Sequence, residues 1–189
     1  CLLSVLFLNL NEAKAREFVS REVGAKKSII SDNIDPEWQK IAGLDLGNQK
    51  KESAREKFYR EKLFGFPLGD MAEELAKLPE DAASYVVAIA KKESQWGRRA
   101  PKRNGEDCYN YWGYKGKEEE QILGYSCFTS KEEAVQKVGR RIDSLIQKGL
   151  DTPEEFVVWK CGSSCAGHDP GGVAKWISDV KAVLKSLKS

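Results

Sequence analysis

The sequence lacks a surplus of charge of either sign, since 31 lysines and arginines meet 29 aspartates and glutamates for a net charge of +2. That balance removes the whole-protein field of a nucleic-acid-binding domain, so no nucleic-acid partner is expected and charge arguments must be local. Internal repeats and low-complexity tracts are absent as well. At 189 residues, near the usual size of one domain, a single compact core with a short N-terminal extension is the default, and a monomer is expected. Also lacking is an apolar run of bilayer length. The longest run follows Cys1 and holds Leu2, Leu3, Val5, Leu6, Phe7, Leu8 and Leu10. It matches the back half of a signal peptide or membrane anchor, with a core strand or helix as the competing reading. Residues 1–10 are therefore read as the remnant of a leader or tether.

Histidine is nearly missing, but cysteine is not. Cys108, Cys127, Cys161 and Cys165 form an even set in the second half of the chain. Two disulfides are expected, and proximity in sequence favours Cys108 with Cys127 and Cys161 with Cys165. Disulfides and an exported start together predict an extracytoplasmic protein: secreted, periplasmic or anchored facing the cell wall. Cys161, Cys165 and the lone His168 could be read as zinc ligands, but C-x3-C-x2-H is not a familiar finger spacing and no fourth ligand stands out. No metal and no organic cofactor is implied. His168 is read as orienting a loop or capping the last helix.

Hydrophobic residues at 41% and aromatics at 10% suffice for a core. Residues 11–63 are charge-dense and read as a helical spacer or extension, and the compact domain is expected over 64–189, opening at Phe64-Gly-Phe-Pro67. Pro79, then Glu80 and Asp81, then Lys91 and Lys92 predict a helix over 80–96. Ser130-Lys-Glu-Glu133 has capping-box spacing ahead of a helix that Gly149 stops. Thr152-Pro-Glu-Glu155 repeats that start signal, and Val173, Trp176, Ile177, Val180, Val183, Leu184 and Leu187 mark a final amphipathic helix. The fold class predicted is mainly α, with a small hairpin or irregular loop region allowed.

In the 80–96 segment Ala82, Val86, Ile89 and Ala90 share a stripe, and Glu93 lies almost directly above Val86. A carboxylate on an apolar face is expected to be buried, which raises its affinity for a proton and suits an acid that protonates a leaving oxygen. The competing reading is a helix-end glutamate in solvent.

The surrounding words are more specific. Glu93-Ser-Gln-Trp-Gly97 followed by Asn110-Tyr-Trp-Gly-Tyr-Lys-Gly116 resembles the signature of the peptidoglycan endo-β-N-acetylglucosaminidases of flagellar and autolysin type, where a helix ends in E-S-G-W-G and a later loop reads N-x-F-G-I-K-G. Tyr125-Ser-Cys-Phe-Thr-Ser130 with Glu132 and Glu133 is similar to the Y-x-x-F-x-S-x-E-E stretch opening the next family helix, and His168-Asp-Pro170 to its T-D-P-x-Y-A segment. The likeness covers roughly residues 80–180. It implies a lysozyme-like α-helical domain with a substrate cleft, related to lytic transglycosylases, acting on peptidoglycan glycan strands. It further implies Glu93 as proton donor, Asn110 and Tyr114 at the sugar subsites, and Trp112 or Trp96 packing the cleft, with Tyr125 joining the candidate substrate contacts. Gln95 stands where the family has glycine, Trp112 where it has phenylalanine, and Gly172 or Val173 where it has tyrosine, and the cysteines are not a general family feature.

Glycosidases commonly need a second carboxylate. Glu118, Glu119 and Glu120 follow the Asn110–Gly116 loop and are the candidates, with a solvated acidic turn as the plainer reading. Without one, the substrate supplies the nucleophile: the C2 acetamido group, or a C6 hydroxyl that yields an anhydro sugar. Arg98, Arg99, Lys102 and Arg103 are read as a solvated loop that could attract an anionic wall polymer. The expectation is a glycosidase that cleaves β-1,4 bonds in peptidoglycan. Lytic transglycosylase and muramidase are the enzymatic alternatives, and a non-catalytic wall-binding protein on a hydrolase scaffold is the alternative from another class.

Overall fold

The computed structural model describes residues 51–117 and 121–188. The apolar start, most of the charged spacer and the Glu118, Glu119 and Glu120 candidates lie outside the described residues.

The described chain is mainly helical, in the order α1 (Ala54–Lys62), a 3-10 turn (Pro67–Met71), α2 (Ala72–Lys77), α3 (Glu80–Ser94), α4 (Lys131–Ile146), a 3-10 turn (Glu155–Val157), α5 (Val158–Cys161) and α6 (Pro170–Leu187). Two minimal antiparallel hairpins lie between α3 and α4: β1 (Lys102–Arg103) with β2 (Glu106–Asp107), and β3 (Gln121–Ile122) with β4 (Tyr125–Ser126). Asn104-Gly105 and Leu123-Gly124 turn them with positive φ at both central residues, as tight hairpin turns require.

The compact unit runs Glu52–Ser189. Tyr59 and Leu63 are part of its core, so the start expected at Phe64 falls one helix after the structural one. Phe64 itself is 85% exposed.

Helix α3 organises the core. Every residue from Tyr85 to Ala90 is buried, because α4 packs on one side and α6 on another. A helix enclosed this completely reads as apolar all round rather than as one stripe. It starts after Pro79 with two acids in its first turn and has Lys91 and Lys92 in its last, the charge order its dipole favours.

The capping signals act as the spacing predicts. Ser130 accepts from the backbone N–H of Glu133, and the Glu133 carboxylate turns back onto the N–H and hydroxyl of Thr129 at 2.8 and 2.6 Å. Thr152 and Glu155 repeat the exchange, but only a 3-10 turn and the four residues of α5 follow. Asp169, not His168, caps α6, accepting from the backbone N–H of Gly172.

Both expected disulfides are formed: Cys108–Cys127, and Cys161–Cys165. The first ties β2 to the segment leading into α4, and in simple chain-entropy terms a bridge over a loop of this length contributes about 3 kcal/mol. The second occupies both thiols of the zinc reading, leaving His168 without its sulfur co-ligands. Two bridges belong to an oxidising, extracellular-type environment. Among the described residues no helix is long and apolar enough to cross a membrane.

Candidate active site

The end of α3 is an unusual turn. Gln95 and Trp96 both take positive φ, 54° and 57°, and Gly97 follows at 95°. For residues with a Cβ this conformation is disfavoured, and it persists where surrounding bonds over-determine it. The bonds are present. Ser94, buried, donates to the Tyr111 carbonyl at 2.7 Å and accepts from the Gly97 backbone N–H at 2.9 Å. The Trp96 indole donates to the Val87 carbonyl at 2.9 Å. A Cβ on Gly97 would stand 2.9 Å from both Pro67 and the Tyr111 ring, so the position admits only glycine without displacement.

The 110–116 loop is locked to this turn. Asn110 is 1% exposed; its amide nitrogen donates to the Tyr114 and Ser126 carbonyls, each at 2.8 Å, and its oxygen accepts from the Tyr114 N–H at 2.9 Å. The side chain expected at a sugar subsite is committed to shaping the loop. Trp112 is fully buried and donates its indole N–H to the Val86 carbonyl at 2.8 Å, which makes it a strut between loop and helix rather than a platform. The Tyr111 hydroxyl donates to Asp107 at 3.0 Å, and burial foremost, with Asp107 next, raises its pKa well above the ordinary tyrosine value.

These struts surround a cavity of about 1230 Å³. Glu93, Asn110, Trp112, Tyr114 and Tyr125 of the candidate residues line it, whereas Trp96 does not. Trp96 instead packs edge-on against Phe66, with Lys91 over its ring at 4.0 Å. Of the four basic residues after α3, Arg99 alone lines the cavity.

Glu93 is exposed to this space rather than sunk in apolar surroundings, which corrects the burial expected from the helix stripe. One turn further along a helix whose middle is enclosed, the chain has already reached the cavity wall. The carboxylate is nevertheless positioned: Oε1 accepts from the indole N–H of Trp176, a residue of α6 that is 1% exposed, at 2.7 Å. Oε2 faces Gly113, where a Cβ would lie 3.7 Å from it and 3.8 Å from the Tyr125 ring.

Sequence reasoning placed Trp176 among the apolar positions of the last helix and did not see its second role. A signal existed, because the N–H of a buried tryptophan needs an acceptor, but nothing in the spacing named Glu93 as that acceptor. Trp159 was missed altogether. It lines the cavity, donates to the Trp112 carbonyl at 2.8 Å and lies 6.0 Å from the Tyr114 ring.

Chemically, the site offers one ionisable carboxyl with a fixed oxygen, open to a space walled by Tyr114, Tyr125 and Trp159. It is the only acid among the described lining residues. The chain matches no protein-family model, no curated protein and no solved structure.

Proposed function

We propose that this protein is a peptidoglycan glycosidase on a lysozyme-like domain, cleaving β-1,4 glycan bonds with Glu93 as general acid and acting outside the cytoplasm. The observation that carries the reading is the Glu93 carboxyl itself: anchored through one oxygen by Trp176, it presents the other to an open, aromatic-walled cavity. An acid that protonates a bridging oxygen must be held in place yet remain reachable. Flat aromatic faces suit sugar rings, and the cavity is large enough for a segment of glycan.

In this reading Glu93 protonates the bridging oxygen, the bond to the leaving sugar breaks, and positive charge grows on the ring left behind. In the glucosaminidase version water captures that ring as it gives a proton to a carboxylate of the Glu118–Glu120 cluster. In a second version an internal group of the substrate captures the ring, and a C6 hydroxyl in that role gives its proton to the Glu93 carboxylate and leaves an anhydro end.

Incubating purified sacculi with the wild type and with Glu93→Gln tests the proposal. The wild type should release fragments at a rate at least about 10²-fold above the variant, the usual scale for a general acid. Mass spectrometry then assigns reducing ends to hydrolysis and anhydro ends to transglycosylation. Equal release by both proteins, or binding to sacculi without release by either, overturns the assignment and supports a wall-binding protein instead.

A further inference from the structure

Among the described residues, the lining of the cavity is asymmetric in charge. Beside Glu93, the described lining includes five cationic side chains, Lys92, Arg99, Lys115, Arg141 and Lys160. Two have evident internal roles: Lys92 pairs with Asp179 at 2.6 Å, and Lys115 lies over the Tyr125 ring at 4.7 Å. Arg99, Arg141 and Lys160 have no ion-pair or hydrogen-bond partner for their side chains among the described residues, and they come from three separate elements: the turn after α3, helix α4 and helix α5. A net charge of only +2 makes such a gathering local rather than a by-product of a basic protein. Cations that line one cavity with low-dielectric walls raise the local concentration of anions there.

We infer that this cavity selects glycan strands bearing free carboxylates near the scissile bond, with Arg99, Arg141 and Lys160 receiving those carboxylates while Glu93 faces the bridging oxygen. The inference rests on the glycosidase reading and specifies its substrate class. Planar guanidinium groups suit carboxylates in two-point contacts, and Lys160 adds a point charge. In wall glycan two sources supply the group: the lactyl carboxylate of muramic acid where the peptide has been removed, and the carboxylates of an attached peptide. A neutral β-1,4 glycan of the same length offers the ring faces without the anions.

The test measures binding and cleavage separately. Peptide-free strands and peptide-bearing strands, each with carboxylates free or converted to neutral amides, are titrated against the Glu93→Gln protein and against Glu93→Gln combined with Arg99→Gln, Arg141→Gln and Lys160→Gln. The same four substrates are digested with the wild type. Free carboxylates should tighten binding about tenfold, an advantage that shrinks as salt rises and disappears in the combined variant. The peptide-free and peptide-bearing arms show which carboxylate is read. Equal affinity for free and amidated strands overturns the inference whatever the digestion shows. Failure of the wild type to digest any strand overturns the glycosidase reading, and the binding comparison then decides the charge selectivity by itself. Circular dichroism and melting of the combined variant establish that lost binding reflects lost charge. Should that variant fail to fold, the single Arg141→Gln and Lys160→Gln proteins carry the comparison, each expected to lose a few-fold of the advantage.

Discussion

The Trp176 indole N–H and the Glu93 carboxylate meet at 2.7 Å across 83 residues of sequence, joining the last helix to the end of the buried one. Helix α6 packs on α3, so the bond couples the site to the main packing interface of the unit. Trp176→Phe keeps a ring at that position and removes the donor. Stability should fall by about 1–2 kcal/mol from the lost volume and bond, read as a lower melting temperature. Release of fragments from sacculi should fall about tenfold or more, because a freed carboxyl samples unproductive orientations. Unchanged release from a folded Trp176→Phe protein would reduce Trp176 to packing.

Two glycines separate structural from functional space. A methyl at Gly97 would meet the Pro67 ring and the buried Tyr111 ring at 2.9 Å and require a positive φ, so Gly97→Ala should lose about 3 kcal/mol or fail to fold. A methyl at Gly113 meets Glu93 and Tyr125 at ordinary contact distances, so Gly113→Ala should keep the fold with a loss of about 1 kcal/mol from its φ of 62°. That methyl nevertheless projects into the gap between Glu93 and Tyr125, where the proposed glycosidase reading puts the scissile bond. Activity on sacculi should drop far more than melting temperature does, and parallel losses would place the substrate elsewhere in the cavity.

Gln95 gives a prediction in the opposite direction. It caps α3 in the left-handed conformation, with φ 54° and ψ 49°, where glycine is favoured at helix ends. Gln95→Gly should raise stability by about 0.5–1 kcal/mol, the relief of a strained Cβ less the added freedom of the unfolded chain. Denaturant unfolding would show it as a higher midpoint at unchanged slope. A lower midpoint would mean that the glutamine side chain contributes bonds outweighing its backbone strain.

Local signals were legible in the sequence and long-range ones were not. Ser130 and Glu133 announce a helix start because the cap needs only residues three apart, and the two cysteine pairs close short loops that proximity alone selects. The Glu93 stripe was sound as far as Ile89 and Ala90, then misled, since whether a residue one turn later is buried depends on what packs there. Asn110 and Trp112 show the complementary difficulty. An amide and an indole in a cleft loop have the right chemistry to touch a sugar, and only the tertiary structure reveals that Ser126 and Val86 have already engaged them. Trp176, Arg141 and Lys160 reach the cavity from elements that follow it in sequence, so no motif could gather them.

Glu133 makes one contribution to stability depend on pH. The Thr129 hydroxyl first, then the Thr129 N–H and Lys137, hold its carboxyl down from 4.5 to about 2. A carboxyl whose folded pKa is depressed contributes stability that is full above the unfolded pKa and is lost as pH falls through the folded one. Its contribution should therefore be constant above about pH 5 and decline from there to about pH 2. The side chain is partly exposed, and solvent screening reduces the contribution to about 1 kcal/mol. Glu133→Ala should lower stability by that amount at pH 7, and most of the gap between the wild-type and variant unfolding curves should close by about pH 2. A gap that persists unchanged to about pH 2 would assign the loss to helix packing, because most of the stabilisation from the ionised cap is gone by that pH.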